Sequence, residues 1–267
     1  MQPYGRTVNY AERISSNPTP KECPSKPSLL GELIHGDCLD VMARLKPESY
    51  KVIVTSPPYN IKNSSGNGLK DGRGGKWPNA SLQKGYSDHD DAMPHQDYVH
   101  WQRQCLTAML RVLRPDGAIF YNHKWRVQNG LLQDRQDIVE GFPVRQIIIW
   151  KRAGGINFNP GYFLPNYEVI YLICKPKFKL APKANALGCV WNIKQEQKNP
   201  HPAPFPIELA QRCIESAGQG PVLDPFMGSG STAIAAENLG LKWTGIEKST
   251  DYVSMAMSRL AQRENHD

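Results

Sequence analysis

Residues 221–247 read PVLDPFMGSGSTAIAAENLGLKWTGIE, and they constrain the fold more than any other stretch of the chain. A short apolar strand ends on Asp224. A turn containing Gly228 and Gly230 follows, then a helix that begins at Ser231 and stops at Gly240. A second strand ends on another acid, Glu247. Such a βαβ unit lays two parallel strands side by side with the helix over one face. Glycines in the turn let a ligand approach the backbone closely. An acid at the end of the second strand can accept hydrogen bonds from ribose hydroxyls. A phosphate-binding P-loop would need a lysine after the last glycine, and Gly230 is followed by Ser231 and Thr232. The dinucleotide pattern G-x-G-x-x-G would need glycine at 233, which is Ala233. Alanine is tolerated there, so a nicotinamide cofactor stays open as the alternative. An acid at the strand tip, however, sits badly beside a pyrophosphate and suits an ammonium.

The rest of the chain repeats the alternation of strand and helix. Residues 32–37 (ELIHGD) read as a short strand reaching a turn, 38–45 as a helix and 51–55 (KVIVT) as a buried strand. Residues 98–113 have the apolar spacing of an amphipathic helix that RPDG stops. Strands are expected at 117–122, 145–151 and 167–175, a helix at 205–217 and a last helix from about 251 to 263. The pattern predicts an α/β chain with a doubly wound, mostly parallel sheet and helices on both faces. Residues 1–28, rich in Pro, Ser and Asn, are expected to form a poorly ordered arm before a single domain over 29–267. Residues 61–95 are polar, glycine-rich and basic, as expected of a mobile or functional loop.

Composition narrows the partners. The formal net charge of +7 favours an anionic one, nucleic acid first. No stretch is apolar and long enough to span a bilayer, and the first residues lack the apolar core of a secretory signal. Six scattered cysteines without C-x-x-C spacing read as reduced thiols of a cytoplasmic protein. No His/Cys spacing suggests a metal site. His123, alone at a strand end, reads as structural.

A second stretch, VTSPPYN at 54–60, ends a β-branched run on Ser56, Pro57, Pro58 and Tyr59. It could be a plain strand stop. Together with DPFMGSGST, however, it resembles the S-adenosylmethionine-dependent DNA amino-methyltransferases. In that family D-P-F-x-G-x-G is the cofactor motif and [D/N/S]-P-P-[Y/F] the catalytic motif. The order here, catalytic motif first, is similar to that of the β group. HGD at 35–37 resembles the family's adenine-contacting turn, and NPHPAPFP at 199–206 its segment closing over the methionine end.

The resemblance implies a Rossmann-like methyltransferase sheet of about seven strands. It implies S-adenosyl-L-methionine as cofactor, held by Asp37, Cys38, Phe205, Asp224, Phe226, Gly228, Ser229, Gly230, Thr232 and Glu247. The catalytic residues would be Ser56, Pro57, Pro58 and Tyr59. The substrate would be double-stranded DNA, with a target-recognition region at about 152–199. It leaves room for a homodimer and for a cognate restriction endonuclease acting separately. The exocyclic amino nitrogen of a base is a poor nucleophile, because its lone pair is conjugated into the ring. Acceptors aimed at its N–H groups draw it towards tetrahedral geometry, and the Ser56 side-chain oxygen and Pro57 carbonyl are candidates. The prolines hold that carbonyl in place, and Tyr59 offers a flat face to a flipped base. T-S-P-P-Y is more similar to enzymes of cytosine N4 than to those of adenine N6, which favour Asp or Asn. Cytosine N4 is therefore expected, with adenine N6 as the alternative.

Overall fold

The computed structural model describes residues 29–60, 93–128, 130–152, 157, 159–196 and 205–263. The expected N-terminal arm and most of the expected loop, 61–92, lie outside the described residues, as do 199–204 of the NPHPAPFP segment. In chain order the elements are β1 (Glu32–His35), α1 (Cys38–Arg44), β2 (Tyr50–Thr55), α2 (His95–Val112), β3 (Leu113–His123), β4 (Arg126–Gln128), β5 (Leu131–Gln133) and α3 (Gln136–Val139). There follow β6 (Val144–Lys151), β7 (Tyr167–Cys174), β8 (Val190–Asn192), α4 (Ile207–Ala217), β9 (Val222–Asp224), α5 (Ser231–Asn238), β10 (Trp243–Glu247) and α6 (Thr250–Arg263).

Eight strands form one sheet in the order β1-β10-β9-β2-β3-β7-β6-β8. All run parallel except β7, which is antiparallel to both β3 and β6. This is the expected mostly parallel α/β sheet, in which β6 and β7 form an antiparallel pair with β8 outside them at the edge. The extra strand is β8, which pairs with β6 from Ile149↔Val190 to Lys151↔Asn192. The sequence around it shows no periodicity because only three residues pair, although Trp191 and Ile193 are buried.

Side chains of a strand alternate between faces, and both faces of this sheet are covered. On β2, Val52 and Val54 enter a core with α4, α5 and α6 residues such as Leu209, Ile234 and Leu260. Ile53, between them, enters the opposite core with Val41 of α1, Leu106 of α2 and Ile138 of α3. A strand buried on both sides needs the near-continuous β-branched run that KVIVT supplies.

Connections from β2 run through α2 to β3 on one side. Those from β9 run through α5 to β10 on the other. The chain thus changes winding direction between β2 and β9, which are adjacent and parallel, with Ile53 opposite Leu223. Sheets of this kind place ligands at the carboxyl ends of strands at such a switch point.

Some elements differ from the sequence reading. Helix α2 starts at His95, earlier than expected, with Pro94 at its cap. Proline has no N–H, and a helix start leaves that donor unused in any case. The β4–β5 hairpin and α3 were not expected. Leu131 and Leu132 point to solvent (70% and 55% exposed), so no inward-facing pattern marked them. The expected recognition region contains the core strand β7, leaving only its flanking segments for contact with a partner.

Ile53 is fully buried in the central strand. Ile53→Ala is expected to lower the unfolding free energy by about 2–5 kcal/mol, measured by urea unfolding, with an unchanged denaturant slope.

Candidate active site

The carboxyl ends of β2 and β9 are tied by a buried carboxylate. Asp224, 6% exposed, accepts from the Thr55 hydroxyl at 2.8 Å, the Thr232 hydroxyl at 2.6 Å and the Phe226 backbone N–H at 3.1 Å. These bonds fix the end of β2, the glycine turn and the start of α5 to one another. Burial pushes the carboxyl up to about 6; the three hydrogen bonds hold it down and nearby Glu247 pushes it further up.

The turn itself needs its glycines. Gly228 and Gly230 have φ of 51° and 85°, a region that L side chains rarely adopt. A Cβ on Gly230 would also lie 3.2 Å from Ala256 of α6. The Gly228 N–H donates to Glu247 at 2.7 Å, and the other Glu247 oxygen accepts from the Ser249 N–H at 2.8 Å. Arg259 of α6 clamps the turn from behind, donating to the Ser229 carbonyl at 2.7 Å and pairing with Glu196 at 2.5 Å.

An open pocket lies over this turn, with about 320 Å³ of space that includes bulk solvent at its mouth. It brings together Ser56, Phe205, Asp224, Phe226, Gly228, Ser229 and Thr232, all singled out from the sequence, with Met227 and Ser231. Asp37 and Cys38 do not line it. They sit farther along the same edge, after β1, where the Asp37 carboxylate caps α1 on the Leu39 N–H and pairs with Lys248 at 3.3 Å. The edge is therefore lined by the carboxylates of Asp37, Asp224 and Glu247. That acceptor set fits ribose hydroxyls and a cationic sulfonium and ammonium, and it repels a pyrophosphate.

After β2 the chain turns through Ser56–Pro57–Pro58–Tyr59. The Pro58 carbonyl accepts from the Tyr98 hydroxyl at 2.8 Å and from Gln102 at 3.2 Å, so α2 anchors the turn. Among the described residues nothing donates to the Pro57 carbonyl. Tyr59 is 6% exposed; its ring packs on His123 with centroids 4.9 Å apart. Burial first, then the positive charge of Arg135, lowers His123 to about 3, so it is a neutral packing partner. The hydroxyl ends of Ser56 and Tyr59 meet Asn122 of β3 and Glu168 of β7.

Thr55, Asn122, Glu168, Glu196 and Arg259 were missed in the sequence. Thr55 lies inside VTSPPYN but reads there only as the end of a strand, while the other four are distant in the chain and belong to no motif; Asp-Pro-Phe pointed to Asp224 but not to its hydrogen-bond donors. Arg152, at the start of the expected target-recognition region, pairs with Glu168 at 3.1 Å and is mostly buried. Lys124 and Arg126 crowd the same end of the sheet. Loss of solvation lowers both, Arg126 to about 10, and the local field favours an anionic partner.

A switch-point pocket floored by a glycine turn, with the Asp224 carboxylate in its wall and Ser56 of Ser-Pro-Pro-Tyr beside it, has the parts of an amino-methyltransferase class of site. The chain matches the DNA methylase family of N6 and N4 methyltransferases over residues 50–258, and it belongs to that family. It is a DNA methyltransferase. It is 25% identical over 274 aligned residues to the type II methyltransferase M.BglII of Bacillus subtilis, covering 87% of this chain and 69% of that one. Its fold matches the PvuII DNA methyltransferase, described as cytosine-N4-specific, with a TM-score of 0.66 and 18% identity over 88% of this chain and 91% of that one. It also matches a DNA modification methylase from Thermus thermophilus complexed with S-adenosyl-L-methionine, with a TM-score of 0.62 and 24% identity over 88% and 96% of the two chains. Among the described residues no helix is long and apolar enough to cross a membrane, and no group of His, Cys, Asp and Glu could hold a metal ion.

The raised carboxyl of Asp224 carries a stability signature. A folded-state value above the unfolded one stabilises at low pH, and that contribution is lost as pH rises through about 6. Between pH 7.5 and pH 5 Asp224 is expected to add about 1–1.5 kcal/mol to the unfolding free energy. Urea unfolding of the protein and of Asp224→Asn at both pH values isolates this difference, because other carboxylates cancel between the two.

Proposed function

We propose that the protein methylates the exocyclic amino group of a base flipped out of double-stranded DNA, cytosine N4 in the first place, with S-adenosyl-L-methionine bound over the glycine turn. The observation that carries the reading is the pocket itself: Ser56, at the end of β2, shares it with Asp224, Phe226 and Thr232 of the cofactor motif. The cofactor supplies an electrophilic methyl group on a sulfonium. Asp224 faces its ammonium, Glu247 and Asp37 accept from its ribose and adenine, and Phe205 and Phe226 enclose it. Ser56 Oγ and the Pro57 carbonyl accept the two N–H groups of the target amino nitrogen, which hold its lone pair in line with the methyl group.

Cytosine N4 rests on serine at the first position of Ser-Pro-Pro-Tyr. Adenine N6 is the second reading, because the same two acceptors fit either amino group. Nothing in the acidic rim supports a nicotinamide cofactor. The surplus of basic residues and the cations beside Tyr59 support a nucleic-acid substrate, and segments flanking β7 together with residues 61–95 are the proposed recognition surface. The type II designation of M.BglII supports work alongside a separate restriction endonuclease.

Duplex DNA incubated with methyl-labelled S-adenosylmethionine is expected to acquire label, recovered after digestion as N4-methylcytosine. N6-methyladenine would decide for the second reading, and no label despite cofactor binding would refute both. Ser56→Ala is expected to lower transfer on the order of 10²-fold, with cofactor affinity by calorimetry unchanged within about twofold.

A further inference from the structure

A carboxylate at the first position of the catalytic motif can only accept hydrogen bonds. A serine hydroxyl carries one proton, and it can present either that proton or its lone pairs to the base. A serine whose proton pointed into the pocket would meet an N–H group with an O–H, which is repulsive. Something must set the direction of that proton.

The surroundings do so. Ser56 Oγ lies 2.6 Å from the Tyr59 hydroxyl, which lies 3.1 Å from Oε2 of Glu168. The other Glu168 oxygen pairs with Arg152 at 3.1 Å, and the carboxylate is 6% exposed. A carboxylate paired with a guanidinium has no proton to give. The proton between Tyr59 and Glu168 therefore belongs to the tyrosine, which has only one. Towards Ser56 the tyrosine oxygen must accept, and the serine must donate. The reverse chain would leave two oxygens 3.1 Å apart with no proton between them. Asn122 supports the same direction: its Nδ2 donates to the Tyr59 oxygen at 2.7 Å and to Glu168 at 2.8 Å, with Ser56 Oγ farther away at 3.3 Å.

We infer that Glu168, acting through Tyr59, turns the single proton of Ser56 away from the reacting base, so that Ser56 offers lone pairs alone, as an aspartate would. Glu168 is a positioning residue on β7, far in sequence from either motif, and Arg152 anchors its second oxygen. The inference rests on the amino-methyltransferase reading of the pocket. It gives a physical reason why a serine can stand at a position where an acceptor is required.

The test is steady-state methyl transfer to cognate duplex DNA by Glu168→Gln, Tyr59→Phe and the double variant. A glutamine amide donates to the Tyr59 oxygen, which hands the tyrosine proton to Ser56 and turns the serine proton into the pocket. Each single variant is expected to lower kcat at least tenfold, with KM for DNA and Kd for S-adenosylmethionine within twofold. The double variant is expected to be no more than twofold slower than the slower single, because the two residues act in series. In a Ser56→Asp background, which has no proton to orient, Tyr59→Phe is expected to cost less than threefold. An unchanged kcat in Glu168→Gln, losses that multiply in the double variant, or an equal cost of Tyr59→Phe in both backgrounds would overturn the inference. If Glu168→Gln fails to fold, the comparison of Tyr59→Phe in the two backgrounds decides alone. A wild-type protein that methylates no DNA refutes the reading of the pocket instead, whatever the variants do.

Discussion

The hydrogen bond from Thr55 to Asp224 is the interaction on which the site depends. It joins the last residue of β2 to the last residue of β9 at the point where the chain changes winding direction. One carboxylate also takes the Thr232 hydroxyl and the Phe226 N–H, so the catalytic turn, the glycine turn and the start of α5 cannot move independently. The carboxyl is held in a buried place that disfavours its charge, which is why it rises to about 6. A fold tolerates such a cost where the charge has a use, and the proposed partner is a cationic cofactor.

The two cores explain the rigidity of that arrangement. Each strand near the switch point sends alternate side chains into packed layers above and below, as Val52 and Ile53 do on β2. The strand ends are thereby fixed in height and direction, and only their carboxyl termini face open space. Two clamps then shape the rim. Arg259 holds the glycine turn and Glu196 from the α6 side, while Tyr98 and Gln102 hold the Pro58 carbonyl from the α2 side. The prolines of the catalytic motif restrict the backbone locally, but it is α2 that fixes the turn in space.

The motifs were legible because they are local. Gly228 and Gly230 sit where positive φ is needed, Asp224 and Glu247 close strands, and KVIVT has the unbroken apolar run of a doubly covered strand. Helix α4 announces itself by its apolar spacing, and α5, buried on all sides, by the glycine turn before it and the glycine after it. Short elements were not legible. Strand β8 pairs over three residues, and the β4–β5 hairpin exposes its leucines, so neither leaves a periodic trace. The polar network behind Ser56 was invisible for a different reason. Asn122 and Glu168 face the same point from neighbouring strands, and a strand's residues are brought into register only by pairing, here Asn122 opposite Ile170.

The sequence by itself determined the class of sheet, the order of catalytic and cofactor motifs and the chemical types available at each, because glycine turns, strand ends and β-branched runs are properties of neighbouring residues. Only the tertiary structure decided that Ser56 and Asp224 share one pocket, that Arg152 is bound to Glu168, and that Ser56 has a tyrosine and a buried acid behind it. Those facts depend on which strands lie side by side and in what register. Burial and hydrogen bonding across a sheet fix them, and no run of adjacent residues carries that information.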